Sequence, residues 1–275
     1  MQAVARELNL ETTFVLRSND KKARFKLRYF MPLCEIGLCG HGTIGAIWTL
    51  AEEGMLPRGL PELTVETPVG LLKIELEWEE GCLKKVLMDQ LLPQFAYPKC
   101  SAEEAARVLG ITPDTIAETG LPLTSASTGR AKLLIPVSDW QVLDSIAPDK
   151  EDLEELCRRI GVTGLYPFTL KPRSSGMTAE ARQFPCDGGV IEDPVTGVAA
   201  CALGTYLVHQ RAVDVEEPVT RLLIEQGHTI GRPGKVEVRV YLRDGEITRV
   251  QIAGRTVLIS TGEMRRGCAE ASAYC

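Results

Sequence analysis

Two stretches decide the fold: CGHGTIGAIWTLAEEG at residues 39–54 and IEDPVTGVAACALGTYLV at residues 191–208. Each is a glycine-bearing turn that runs into an apolar helix. The first helix is expected over Thr43 to Gly54, where the closing glycine suits a C-terminal cap. The second follows Gly197 and is built largely of small residues. His41 to Thr196 and Gly42 to Gly197 are the same 155 positions apart. Each helix precedes a strand meander: Thr64–Val69, Lys73–Trp78 and Leu83–Asp89 after the first, Leu222–Glu225, Lys235–Leu242 and Thr248–Ile252 after the second. A repeat this long is no solenoid and implies two similar domains facing each other.

Upstream of the first turn, Met1 to Leu8 has helical spacing, Thr12 to Leu16 turns β-branched and aromatic, and Glu11 stands at the junction. Ala23 to Phe30 alternates as a half-buried strand that Pro32 ends, and Leu33 to Leu38 is a loop. Between the motifs, Pro93 to Pro98 reads as a linker, so the domains divide as 1–95 and 96–275. Ser101 to Leu109 and Pro148 to Ile160 read as helices, Leu133–Val137, Leu165–Leu170 and Ala181–Phe184 as strands, and Gly188-Gly189 as a turn.

Composition narrows the partners. The chain has 275 residues and a net charge of -6, with Lys and Arg scattered, so it carries no footprint for nucleic acid. No run of about 18 apolar residues would cross a membrane, and the start lacks the order of a secretory signal. A cytoplasmic protein is expected. Nine cysteines at irregular spacing then read as reduced thiols. No CxxC pair or His/Cys cluster has zinc spacing, so no metal is expected.

The turns carry the chemistry. A helix N-terminus offers backbone N–H groups without intrahelical partners and a partial positive charge, so two facing ones would bind a small carboxylate and stabilise an enolate-like charge. The expected substrate-binding positions are Gly40, Gly42 and Thr43 in the first turn, and Thr196 and Gly197 in the second. Either glycine turn, taken alone, is equally explained by tight geometry. His41 lies between two glycines, where a core imidazole has little to pack against, which favours a binding or proton-relay role at a cleft. Asp193 suits a helix N-cap and is also a candidate for chemistry. Glu11 lies between apolar segments whose burial would raise its pKa towards that of a general base; on its own it also reads as an exposed turn residue.

Four segments in register, MQAVARELNLETTFV, LRYFMPLCEIGLCGHGTIGA, IEDPVTGVAACALGTYL and EQGHTIGRPGKVEV, resemble the main motifs of the PhzF-like family across nearly the whole chain. The resemblance implies an α+β fold like diaminopimelate epimerase: two pseudo-symmetric domains, each a curled, mostly antiparallel sheet around a central helix, with the active site between them. It also implies a homodimer. The best understood member shifts a proton within trans-2,3-dihydro-3-hydroxyanthranilate without metal or organic cofactor. Its catalytic Glu, His and Asp fall in the motifs matched here by Glu11, His41 and Asp193.

The same superfold holds racemases and epimerases that use two opposed thiols. Cys39 matches the first, but at the 155 offset the second falls on Pro194, which disfavours a thiol pair and leaves Cys39 as a small buried residue. Cys186 precedes the motif and Cys201 lies inside the helix. The pattern departs from the family in three places. Met1 falls where the family is already in its first helix, so either the start lies upstream or the first domain lacks an edge strand and part of its cleft wall. Leu10 and Val198 stand where many members have Ser. A cofactor-independent isomerase of a small carboxylate is therefore the leading expectation, beside an amino-acid racemase and a non-catalytic member of the fold.

Overall fold

Asn9 turns left-handed at φ 51° and ends the first helix, α1 (Gln2–Leu8), so that the chain reverses into β1 (Thr12–Leu16) with Glu11 at the bend. The computed structural model describes residues 1–186 and 191–264; the expected Gly188-Gly189 turn lies outside them. β2 (Phe25–Phe30) and the short β3 (Glu35–Ile36) lead to α2 (Gly40–Glu52). The meander β4 (Glu62–Thr67), β5 (Gly70–Glu79) and β6 (Cys82–Gln90) follows, with Leu63, Val65 and Thr67 alternating inward along β4. The second half opens with β7 (Gln94–Ala96), α3 (Ala102–Leu109), α4 (Asp114–Ala117), β8 (Thr124–Ser127) and β9 (Lys132–Pro136). α5 (Trp140–Ser145), α6 (Lys150–Ile160), β10 (Gly164–Thr169), β11 (Ala179–Ala181) and β12 (Phe184–Pro185) come next. It closes with α7 (Gly197–His209), β13 (Val219–Gln226), β14 (Gly234–Arg243) and β15 (Glu246–Gly254).

The strands form one curled sheet in the order β1-β2-β4-β5-β6-β15-β14-β13-β11-β10-β9-β8-β7. Most pairs are antiparallel; β2/β4, β9/β10 and β11/β13 are parallel. The two halves join where β15 runs antiparallel to β6, from Val250 opposite Gln90 to Gly254 opposite Val86. One core contains Ile47 and Trp48 of α2, Leu203 and Tyr206 of α7, and Ile252 of β15. A second core lies behind β9 and β10, where Leu133, Leu165 and Phe184 meet Val108, Leu143 and Leu156. β10 is therefore buried along its whole length, because helices cover one face and the main core the other. α7 is buried all round, as befits a central helix, whereas α2 keeps one exposed side.

Two sequence readings change. Residues 93–98 are not a linker, since β7 pairs with β8 and the 95/96 boundary cuts through it. The repeat offset is 157, not 155. Both central helices have 13 residues, and they start at Gly40 and Gly197 with Cys39 and Thr196 as N-caps. A Cβ on Gly40 would lie 3.0 Å from Ile252 Cδ1, and one on Gly197 would lie 2.9 Å from the same atom. The first motif has two glycines that could align with Gly197; the helix start, and the shared approach to Ile252, select Gly40.

Candidate active site

α2 and β1 meet at Gly42, where a Cβ would stand 2.3 Å from Thr13 Oγ1 and 2.9 Å from Cys39 Sγ. Only glycine lets β1 lie this close to the first turn of α2, and that closeness brings Glu11 to His41. Glu11 Oε2 is 3.2 Å from His41 Nε2. The His41 side chain is 50% exposed although protein surrounds it on most sides, as in a residue lining a cleft. Cys39 is 5% exposed. Its sulfur caps α2 by accepting the Gly42 N–H at 3.1 Å, and it lies within 4.8 Å of the polar atoms of Glu11 and His41.

These contacts set the charges. Burial pushes the Glu11 carboxyl up, as its place in the sequence suggested, but bonding and attraction to His41 outweigh burial and the net pKa falls below 4.5. Burial also opposes the His41 imidazolium; Cys39 and Glu11 more than offset it, and the ring titrates well above 6.5. Burial pushes the Cys39 thiol up, so it stays protonated near neutral pH and the charge that sustains the imidazolium is the Glu11 carboxylate. The resting arrangement is thus a carboxylate paired with an imidazolium beside a neutral thiol.

Asp193 faces this pair from the second half, and its carboxyl feels the charge of both His41 and Glu11. Burial raises its pKa, opposed by a hydrogen bond from Thr196 and by the His41 charge. Asp193 is not the N-cap of α7. Thr196 holds that position, and its hydroxyl donates to Asp193 Oδ2 at 2.5 Å. The backbone N–H of Asp193 donates to Gln183 O at 3.0 Å, and next to it Glu192 forms a buried ion pair with Arg182 (2.7 and 3.0 Å) and accepts from Thr229. Arg182 in turn donates to the carbonyls of Leu143 and Ile146, which ties the turn to α5.

Among the expected substrate-binding residues, Thr43 does not reach the cleft. Its hydroxyl is buried between Tyr29 OH and the Cys39 carbonyl, both at 2.7 Å, where it holds α2 to β2. Gly42 is a packing position whose N–H is taken by the Cys39 sulfur. Gly40 and Gly197 begin the two helices on either side of Ile252, and in each first turn some N–H groups have no protein partner among the described residues. Two positive helix ends, an ionised carboxylate, an imidazolium and a second, less acidic carboxyl thus converge. Such a set has the chemistry to bind a small anion and to exchange protons with it.

Glu11, Cys39 and His41 are also the group of potential metal donors that the structure brings together among the described residues, all within 4.8 Å of one another. His and Cys two positions apart, with the Glu far upstream, have no zinc-motif spacing. Arg130 was missed by sequence reasoning as well. It follows β8, and its charge helps to lower the Glu11 pKa. A lone Arg after a strand carries no signal in one sequence. Gln226, which donates to the Asp193 carbonyl and to Thr196, had only a partial signal in the EQG segment, and Tyr166, which donates to Gln226, had none.

Comparison with known proteins bears on the family and the fold. The family model described as "Phenazine biosynthesis-like protein" matches residues 1–262. An uncharacterized isomerase, YddE of Escherichia coli K12, is 33% identical over 96% of this chain and 87% of its own. The trans-2,3-dihydro-3-hydroxyanthranilate isomerase of Pseudomonas fluorescens is 28% identical over 95% and 87%. The crystal structure of a PhzF-family phenazine biosynthesis protein from Bacillus anthracis superposes with a TM-score of 0.84 at 32% identity, covering 93% of this chain and 85% of that one. Structures of a hydroxyproline epimerase and a probable proline racemase share the fold at TM-scores of 0.56 and 0.60, with 15% and 17% identity.

Proposed function

The chain belongs to the phenazine biosynthesis-like family and is an isomerase of that family; from that premise we propose that Glu11 moves a proton between two carbons of a small carboxylated metabolite in the cleft. The observation that carries this reading is the Glu11–His41 pair beside a protonated thiol. Glu11 is ionised and can accept a proton from an acidic C–H; the C–H electron pair moves into the conjugated system as an enolate-like charge. The resulting carboxylic acid returns the proton to a second carbon on the same face of the substrate. A single base suffices because the proton leaves and returns on one side.

The other groups meet the charge that moves. His41, an imidazolium in the resting site, donates to the substrate oxygen on which charge builds, and the N–H groups of the α2 and α7 ends face the substrate carboxylate. Asp193 holds a polar substituent beside the reacting carbons. These side chains supply both the base and the charge stabilisation, so the proposed reaction calls on no cofactor. A relative's name points to cyclic dienoic acids as the substrate class to try first.

Racemisation by two thiols finds no second sulfur at the site among the described residues. At the 157 offset the partner of Cys39 is Thr196, whose hydroxyl is committed to Asp193. The test is substitution of the base: Glu11→Gln removes the proton acceptor with almost no change of shape. Proton exchange is expected to fall by at least about 100-fold. Retained exchange in a folded Glu11→Gln protein contradicts the reading.

A further inference from the structure

Behind Asp193 runs a chain of buried polar groups that the proton transfer itself does not use. Tyr166, on β10, is fully buried, and burial pushes its phenol far up, so it keeps its proton. Its hydroxyl donates to Gln226 Oε1 at 3.0 Å. With that oxygen committed, the amide is fixed in one orientation, and its Nε2 faces two acceptors: the Asp193 carbonyl at 2.5 Å and Thr196 Oγ1 at 3.2 Å. A threonine hydroxyl that accepts from an amide must direct its own proton elsewhere, and here it goes to Asp193 Oδ2. Every donor in the chain points the same way, from the core towards the carboxylate.

We propose that Gln226 and Tyr166 are positioning residues that set the polarity of the Thr196 hydroxyl and thereby hold the Asp193 carboxylate, through Oδ2, in place beside His41 and Glu11. The inference rests on the role given to Asp193 above. Its geometric part concerns the ground state and stands or falls without turnover. Gln226 is the decisive link, because its amide presents donors to Thr196 and the Asp193 carbonyl and an acceptor to Tyr166 at once, without charge.

The test is to follow the Asp193 carboxyl by carbon-13 NMR as a function of pH in the folded protein, together with kcat and KM for deuterium exchange. Tyr166→Phe and Gln226→Met each remove donors without adding charge, and Tyr166→Phe changes shape least. Both are expected to raise the pH at which Asp193 titrates by about one unit, because the charged form loses its hydrogen bond. Thr196→Val is expected to produce the same shift, and the Thr196→Val/Gln226→Met double variant no further one. Exchange falls about tenfold in kcat with little change in KM. A purely structural role would lower thermal stability and leave the Asp193 titration in place, and that result overturns the proposal; so does a double variant that shifts by the sum of the singles. Exchange absent from the unaltered protein on every acid tried would refute the functional reading, while the titrations still decide the chain.

Discussion

Glu11 shows how one contact can reverse a local expectation. Its sequence position pointed to burial and a raised pKa; burial is there, but His41 stands 3.2 Å away and the net shift is downward. Nothing in the chain between residues 11 and 41 reveals that contact, and it was family resemblance that favoured Glu11 as a base over an exposed turn residue. The pair has a pH signature. Glu11 titrates below 4.5, so its contribution to stability is present above that value and is lost as pH falls through the lowered pKa. His41 titrates well above 6.5, so its contribution is complete below 6.5 and is lost as pH rises through the raised pKa. Exchange should therefore be flat across neutral pH, falling on the acid side as Glu11 protonates and on the alkaline side as His41 loses its proton. The chain has three histidines, which makes the His41 ring accessible to proton NMR. It should titrate well above the ordinary range and move back towards 6.5 in Glu11→Gln; an unchanged His41 would mean that the pair is not formed in solution. Cys39→Ser, which keeps an acceptor at the α2 cap, should leave exchange within a few-fold of the parent, whereas a nucleophilic or basic thiol would show a loss of orders of magnitude.

At the scale of elements, both central helices were legible because a glycine turn and an apolar run are local features. Where α2 begins was not, since Gly40 and Gly42 look alike until Ile252 and Thr13 are placed beside them. Thr43 was misjudged for the same reason: its partners, Tyr29 OH and the Cys39 carbonyl, decide whether a first-turn hydroxyl faces the cleft or the sheet. β7 escaped notice because three residues between prolines carry no period of their own, and only pairing with β8 makes them a strand. The helix starts yield a sharp prediction. Gly40→Ala and Gly197→Ala both press on Ile252 Cδ1, so each should cost about 1–3 kcal/mol by overpacking. Ile252→Val deletes that atom and should recover most of the loss in either variant, as read from denaturant unfolding. Failure of the valine to help would show that the helix ends do not meet at this side chain.

For the whole molecule, the resemblance anticipated an α+β, epimerase-like architecture, and the structure has it. No local pattern announced that β15 leaves its own meander to pair with β6, because strand pairing between residues 86–90 and 250–254 depends on the completed sheet. That pairing, with α2, α7 and Ile252 in one core, favours a single cooperative unit even if the halves are regarded as two domains. Trp48 and Trp78 report the first half and Trp140 the second. Fluorescence of single-tryptophan variants should unfold coincidently with circular dichroism, while separated transitions would show that the halves melt independently. A homodimer remains our proposal from the family resemblance, and light scattering should give twice the chain mass. The proposed proton transfer takes place where Glu11 and His41 of the first half meet Asp193 of the second. The direct measurement is solvent deuterium incorporation, by mass spectrometry, into a panel of cyclic dienoic and amino acids incubated with the parent protein, Glu11→Gln and Cys39→Ser. Label entering a cyclic dienoic acid with the parent and with Cys39→Ser, and absent with Glu11→Gln, is the result expected. Label at an amino-acid α-carbon that survives Glu11→Gln and disappears with Cys39→Ser would contradict it.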